Sequence, residues 1–275
     1  MLRLGIMQGR LSPPINCKIQ SFPAETWRQE FFSAKSIGLK AIEWVVDENW
    51  DDHGNPLLHV DGVKEILRTI RETGVLVESV CADFFMNARL VSDDGRINEL
   101  PLKFLLTLIQ HTRAIGASTI VLPFVDDSSL KTLEAVSALT TMLNSISPFM
   151  NEVSVRLALE TDLPPVLLRT LVAGLPSYVC LNFDTGNRCS QGYDPGDELT
   201  PLRNCRLGSV HLKDRKVGGG TVQFGCGSVD FRECLRLINE LAFPSPLILQ
   251  PARIPDMSEL DQARSNKEFV EARMP

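Results

Sequence analysis

The chain has 275 residues, 44% of them hydrophobic, and a formal net charge of −6 at pH 7. This length is ordinary for one α/β barrel, so we expect a single domain over residues 1–275. The acidic balance, without a dense block of lysine and arginine, argues against a nucleic-acid partner, and no run approaches the ~20 apolar residues of a membrane span. We therefore expect a small-molecule partner rather than nucleic acid or membrane. The oligomeric state stays open, a homo-oligomer included.

The seven cysteines contain no C-x-x-C pair, which argues against a structural zinc ribbon. Several lie in apolar segments, where cysteine behaves as a small hydrophobic residue. We therefore expect reduced thiols and a cytoplasmic protein.

Segments of helical period alternate along the chain with short apolar runs, and several of these segments end at a glycine. The first has Trp27, Phe31 and Ala34 at helical spacing and ends at Gly38, and the second ends at Gly74. A third ends at Gly116 and a fourth covers about residues 128–147. Their apolar stripes are predicted at Leu105, Leu108, Ile109 and Ile115, and at Leu133, Val136, Leu139, Leu143 and Ile146.

Two more helices are predicted in the second half of the chain. A short one ends near Gly174, and a later one opens at Asp230 with Glu233 three residues on, the spacing of a capping box.

Eight apolar runs between these helices have the length and composition of buried strands. They are LRLGIMQ (2–8), LKAIEWVV (39–46), VLVESVCA (75–82), STIVLPF (118–124), RLALET (156–161), YVCLNFDTG (178–186), LGSVHLKD (207–214) and PLILQPA (246–252). No glycine fingerprint follows the first run, which disfavours a doubly wound sheet. The pattern predicts an α/β fold of the single (β/α)₈ type, the TIM barrel.

Polar residues stand at the carboxyl ends of these runs, which meet at one rim of a barrel. They are Gln8, Arg10, Glu43, Cys81, Asp83, Glu160, Asp184, His211 and Gln250. The last four come from the fifth to eighth strands and offer carboxylate, imidazole and amide donors, a set that suits Mn²⁺, Mg²⁺, Co²⁺ or Zn²⁺. Each alone has a structural explanation, such as Asp184 capping the next helix, but their conjunction predicts a divalent metal site.

The loop after the seventh strand adds candidate substrate contacts. In KDRK (213–216), Lys213 and Arg215 follow His211, and an arginine offers a bidentate fork to a substrate oxygen or phosphate. VGGG (217–220) and FGCG (224–227) form a glycine-rich loop close to the usual phosphate position of such barrels.

At these residues the chain resembles the xylose isomerase-like TIM barrels, specifically the sugar phosphate isomerase/epimerase family, over nearly its whole length. The matching segments are LETD with Glu160, DTGN with Asp184, HLKD with His211, GCGSVD (225–230) and LILQ with Gln250. The resemblance implies that Glu160, Asp184, His211 and Gln250 hold the metal. It also implies that Arg215 contacts substrate.

Two positions depart from the family pattern. Asn187 stands where the family commonly has a substrate-binding histidine, and Gln250 stands where it has a glutamate. A glutamine can ligate a metal through its amide oxygen, but it cannot exchange a proton at neutral pH.

The family chemistry runs through an enediolate, with carboxylates moving the proton. Epimerisation needs an acid and a base on opposite faces, so the loss of the carboxylate at 250 favours a metal-dependent sugar isomerase acting on a ketose, an aldose or a phosphate, with Glu160 as the base and Glu43 in reserve. Arg10, Glu43, Asn187, Lys213 and Arg215 are the candidate substrate-binding residues.

Three alternatives are weighed against the isomerase. A sugar 3-epimerase remains open if another residue supplies the second proton-transfer group. A carbohydrate-binding barrel without turnover is also open, with Gln250 as the sign of lost chemistry. A multi-zinc endonuclease is disfavoured by the net acidity and by a chain with only four histidines.

Overall fold

The computed structural model describes residues 2–47, 54–200 and 206–275. Its strands in chain order are β1 (Leu4–Met7), β2 (Ala41–Val45), β3 (Ser79–Cys81), β4 (Thr119–Phe124), β5 (Arg156–Thr161), β6 (Val179–Asp184), β7 (Leu207–Leu212), β8 (Asp214–Arg215), β9 (Thr221–Val222) and β10 (Leu247–Leu249). Eight of them close into a barrel in the order β1-β10-β7-β6-β5-β4-β3-β2, and every neighbouring pair is parallel. The predicted (β/α)₈ barrel and all eight predicted strands are confirmed.

The short strands β8 and β9 form a separate antiparallel hairpin in the loop after β7. This hairpin carries Arg215, which pairs with Thr221. The glycine-rich loop is therefore partly ordered by strand pairing.

The α-helices follow the strands around the outside of the barrel. They are α1 (Trp27–Ser36), α2 (Val60–Thr73), α3 (Phe84–Asn87), α4 (Glu99–Ala114), α5 (Leu133–Ser145), α6 (Ser147–Met150), α7 (Pro165–Ala173), α8 (Thr185–Ser190), α9 (Pro195–Leu199), α10 (Phe231–Glu240) and α11 (Glu259–Glu271), with 3₁₀ turns at Pro56–Leu58 and Asp126–Ser128. The pattern did not predict α3, α6, α8, α9 and α11. No helix within the described ranges has both the length and the apolar character needed to cross a bilayer.

The end of α2 and the start of α10 lie where the sequence predicted them. Gly74 caps α2 with a φ of 73°, in the left-handed region, and its amide donates to the carbonyl of Ile70. At the start of α10 the side chain of Asp230 accepts from the amide of Glu233 at 3.0 Å. The Glu233 carboxylate contacts Arg236, so only the Asp230 half of the predicted capping box forms.

The prediction for the fourth helix was partly wrong. It placed Leu133 on a buried stripe, but this residue is 83% exposed, and α5 is shorter than the predicted segment. Leu133 is the first residue of α5, preceded by the N-cap Thr132, and the buried face is formed further along by residues such as Leu139 and Leu143.

The barrel interior contains a small apolar layer below the rim. It consists of one residue from each of seven strands: Met7, Val45, Cys81, Val121, Ala158, Cys180 and Ile248. On β7, a Cβ added to Gly208 would lie 2.1 Å from the sulfur of Cys180, so glycine leaves the room that this cysteine fills. Side chains two residues apart on a strand share a face. Glu160 follows Ala158 of this layer by two residues on β5 and so points into the barrel at the rim, while Asp83 and Gln250 stand just beyond the ends of β3 and β10.

Candidate active site

Three buried potential metal ligands meet at the rim. Glu160 comes from the end of β5, Asp184 from the end of β6 and His211 from β7, and one ligand atom of each lies within 4.8 Å of the others. The strand register explains the meeting, because Asp184 and His211 are direct partners between β6 and β7. The structure therefore brings together three of the four residues predicted to hold a metal.

The imidazole of His211 is oriented by a carboxylate behind it. Its Nε2 lies 2.6 Å from Oε1 of Glu43, which is fully buried and also accepts a hydrogen bond from Ser79 at 2.5 Å. His211 Nδ1 lies 3.6 Å from Oε2 of Glu160 and 4.0 Å from Oδ2 of Asp184. If Nε2 carries the hydrogen, the Nδ1 lone pair points at the cluster, as in carboxylate–histidine–metal arrangements. Glu43, predicted as a substrate contact, thus lies behind the histidine.

Negative charge is concentrated around this cluster. Burial by itself disfavours the imidazolium, but Glu43, Glu160 and Asp184 outweigh it and raise the pKa of His211 to about 9. Burial raises the pKa of Glu160, and the charge of Asp184 raises it further. A cation placed between these groups would relieve the repulsion between the two carboxylates.

Gln250, the fourth predicted ligand, directly follows the last barrel strand and lines the same cavity as Glu160. Its Nε2 donates to Oε1 of Gln20 at 2.9 Å. Its Oε1 is buried and has no hydrogen-bond partner among the described residues. An amide oxygen left in this state is the atom a divalent cation would use, so the donor set fits the predicted metal.

Asn187 links the cluster to the cationic side chains of the β7 loop. Its Nδ2 donates to Oε1 of Glu160 at 2.7 Å, and its Oδ1 accepts from Arg215 at 3.0 Å and from Lys213 at 3.4 Å. The Lys213 ammonium also lies 2.8 Å from Oδ2 of Asp184. All of these predicted residues therefore lie in one polar network.

Two backbone features fix this network. Asp184 accepts the amide of Asn187 at 2.8 Å and so caps α8 while its other oxygen faces the cluster. The capping and ligand interpretations of Asp184 are therefore compatible. A Cβ on Gly186 would lie 2.8 Å from Cγ of Lys213, so glycine allows the lysine to pack across the start of α8.

In the second glycine segment, FGCG (224–227), the amides of Gly225 and Gly227 are not available to a phosphate, contrary to the expectation for this loop. The carboxylate of Asp214 accepts the amides of Gly225 at 2.8 Å, Gly227 at 3.0 Å and Val229 at 3.3 Å. A Cβ on Gly227 would lie 2.0 Å from Oδ1 of Asp214. The glycines therefore serve to wrap a buried aspartate.

A cavity of about 320 Å³ opens beside the cluster. Arg10, Gln20 and Asp83 line it together with Glu160 and Gln250. This volume lies in the usual range of small-molecule sites. Arg10 is 5% exposed, and its Nε and Nη1 have no hydrogen-bond partner within the described residues. Burial lowers the pKa of Arg10 to about 9.

Sequence patterns missed two residues of the site. Asn182 donates to Oε2 of Glu160 at 2.8 Å and lies 3.2 Å from Nδ1 of His211. A polar residue inside the apolar run VCLNFD was the available signal. Gln20 comes from the irregular segment before α1, where no periodicity marks it.

Comparisons with a family model and with a curated relative agree on the family of this chain. Residues 31–272 match the family model described as xylose isomerase-like TIM barrel. The chain is 26% identical over 274 residues to L-ribulose-5-phosphate 3-epimerase UlaE from Escherichia fergusonii, covering 95% of each.

Solved structures share the architecture. D-psicose 3-epimerase in the presence of D-fructose is similar with a TM-score of 0.76 at 13% identity, covering 99% of each chain. The IOLI protein with a zinc atom is similar with a TM-score of 0.71 at 15% identity, again over 99% of each chain. At these identities the similarity is one of fold.

Proposed function

Since this chain belongs to the xylose isomerase-like TIM barrel family, we propose that it is a metal-dependent sugar epimerase that inverts one carbon of a ketose or ketose phosphate. The sequence favoured an aldose–ketose isomerase because Gln250 removes one proton-transfer group. The relatives support the alternative, since the curated relative named above is a sugar 3-epimerase that aligns over 95% of both proteins.

One observation carries the proposal. Three buried side chains that suit a divalent ion lie beside a cavity large enough for a small sugar. They lie at the C-terminal rim, where barrel enzymes have their active sites. A structural ion-pair cluster would not require an adjoining open cavity.

Glu160, Asp184, His211 and Gln250 would hold the ion. When bound, a divalent cation polarises a carbonyl and stabilises the charge of an enediolate. The mixed oxygen and nitrogen donors suit Mn²⁺, Mg²⁺, Co²⁺ or Zn²⁺.

Glu160 is the proposed base. Its carboxylate takes the proton from the carbon next to the substrate carbonyl, and the electron pair of that C–H bond moves into the enediolate. Burial and Asp184 raise the pKa of Glu160, which makes it a stronger base than an exposed glutamate. Hydrogen bonds from Asn182 and Asn187 to its two oxygens hold the carboxylate in place.

Cationic side chains are the proposed substrate contacts. Arg215 and Lys213 lie beside Asn187 on one side of the cavity. Arg10 has two guanidinium nitrogens without a partner in the described ranges, and these can bind hydroxyl or phosphate oxygens of the substrate.

The test is to incubate the Mn²⁺-loaded protein with ketopentoses, ketohexoses and their phosphates, and to identify products by NMR. We expect an epimeric ketose, formed only when metal is present. An aldose product would support the isomerase instead. If sugars bind without product formation or deuterium exchange from D₂O, the chain is a carbohydrate-binding barrel. This is the second candidate function, because Gln250 lacks the carboxylate that would transfer a proton.

A further inference from the structure

Epimerisation requires a second proton-transfer group facing the substrate from the side opposite the base. Gln250 cannot supply it. Glu43 is fully buried behind His211. Asp184 is tied to Lys213 and to the start of α8. The cavity wall holds two further carboxylates, that of Asp126, which is exposed in the turn after β4, and that of Asp83, which is half-buried.

We infer that Asp83 is the second acid–base catalyst of this site, taking the role that a carboxylate at position 250 would otherwise fill. This inference rests on the proposed epimerase function.

The position of Asp83 is suited to the cavity rather than to the helix that follows it. The residue is the N-cap of α3, the place where an aspartate commonly accepts a backbone amide. Its side chain makes no capping hydrogen bond. Instead, Oδ2 accepts from Nε2 of Gln20 at 2.6 Å and Oδ1 accepts from the thiol of Cys81 at 3.2 Å. A structural cap is therefore not the reason for an aspartate here.

Asp83 and position 250 belong to one hydrogen-bond network. Gln20 donates to Asp83 and accepts from Gln250 at 2.9 Å and from Arg10 at 3.2 Å. The amide of Gln20 thus connects Gln250, which follows β10, with the carboxylate of Asp83, which follows β3. Asp83 therefore supplies a carboxylate to a network that Gln250 joins only through its amide.

Asp83 reaches the cavity from a different part of the barrel wall than the metal ligands. Around the closed barrel, β3 is two strands from β5, which carries Glu160, three strands from β6, which carries Asp184, and four strands from β7, which carries His211. Glu160 and Asp83 both line the cavity, so a ketose bound beside the ligand cluster would contact two carboxylates that reach it from strand ends a quarter of the barrel apart.

The chemical environment of Asp83 suits an acid that must hold a proton. Its two hydrogen-bond partners, Gln20 and Cys81, are neutral. Burial raises the pKa of Asp83, although these hydrogen bonds partly oppose the shift. A raised pKa brings the acid closer to the range in which it exchanges protons efficiently.

The proton balance is complete with these two groups. Glu160 removes the proton from one face of the carbon, and the C–H electron pair enters the enediolate. Asp83 then donates its carboxyl proton to the opposite face, where an electron pair of the enediolate forms the new C–H bond. The enzyme ends with Glu160 protonated and Asp83 ionised, and exchange with water restores the starting state. In the reverse direction the two residues exchange roles.

The test compares Asp83→Asn with the unaltered Mn²⁺-loaded enzyme in D₂O, on a ketose that the unaltered enzyme epimerises. We expect epimer formation to fall at least 100-fold while deuterium still enters the substrate with retention, because Glu160 still acts on its own face. Asp127→Asn, an exposed aspartate in the loop after β4, is the matched control and should epimerise normally.

A double variant guards against a purely structural effect. Asp83→Asn with Gln250→Glu should recover epimerisation at least tenfold over Asp83→Asn alone, because a carboxylate returns to the same network. Normal epimerisation by Asp83→Asn, loss of both epimerisation and exchange, or no recovery in the double variant would each overturn the assignment. Failure of the proposed function is distinct, since the unaltered enzyme would then form no epimer.

Discussion

His211 Nε2 and Glu43 Oε1 lie 2.6 Å apart, with both side chains excluded from solvent. The two residues are 168 positions apart in sequence. This contact leaves Nδ1 as the atom that faces Glu160 and Asp184. The partner of a ligand histidine commonly controls its tautomer and its basicity.

We therefore predict that Glu43→Gln weakens metal binding by about 10- to 100-fold, the usual effect of changing such a partner. Calorimetric titration with Mn²⁺ measures it. Glu152→Gln, at an exposed position far from the rim, is the control. Unchanged affinity in Glu43→Gln would show that the carboxylate does not orient the ligand.

Glu160→Gln should abolish proton exchange while the fold stays intact. Removal of a general base costs about 10²- to 10⁴-fold in rate. Deuterium incorporation from D₂O, followed by NMR, gives the rate, and circular dichroism checks the fold. Turnover equal to that of the unaltered protein would mean that another residue is the base.

Gln250→Glu should tighten binding of Mn²⁺ by about tenfold, equivalent to about 1.4 kcal/mol. The reason is the added negative charge at a position whose oxygen already lacks a partner within the described residues. Equilibrium dialysis against Mn²⁺ measures the change. Weaker binding would mean that Oε1 of Gln250 does not face the ion.

Glu30 predicts a pH dependence of stability that is separate from the metal site. The residue is buried in α1 and accepts the amides of Gly9 and Leu11, both at 3.0 Å, on either side of Arg10. Burial raises the pKa of Glu30 from 4.5 to about 7, although these hydrogen bonds oppose the shift. Between these two pH values Glu30 is therefore protonated in the folded state and ionised in the unfolded state.

Because the folded state binds more protons in this window, its stability falls as pH rises from about 4.5 through 7. The loss from this one group is at most about 3 kcal/mol. Urea unfolding between pH 4.5 and 8.5 measures it. Glu30→Gln should lower stability throughout, since its amide faces a backbone donor, but it should flatten this slope. An identical slope in both proteins would contradict the prediction.

Local patterns in the sequence determined the architecture of this protein. The strands follow from short apolar runs and the helices from a period of 3.6 residues, and both are properties of each segment alone. The convergence of Glu160, Asp184 and His211 also followed, because parallel strands of a barrel bring their carboxyl ends to one rim.

The tertiary structure alone decided which polar atoms pair at that rim. Glu43 lies behind His211, Gln20 enters between Asp83 and Gln250, and Asp214 takes the amides of the glycine-rich loop. These contacts join side chains from distant strands and from loops without periodicity. They depend on the direction and reach of each side chain in the closed barrel, and no local pattern along the chain encodes that geometry.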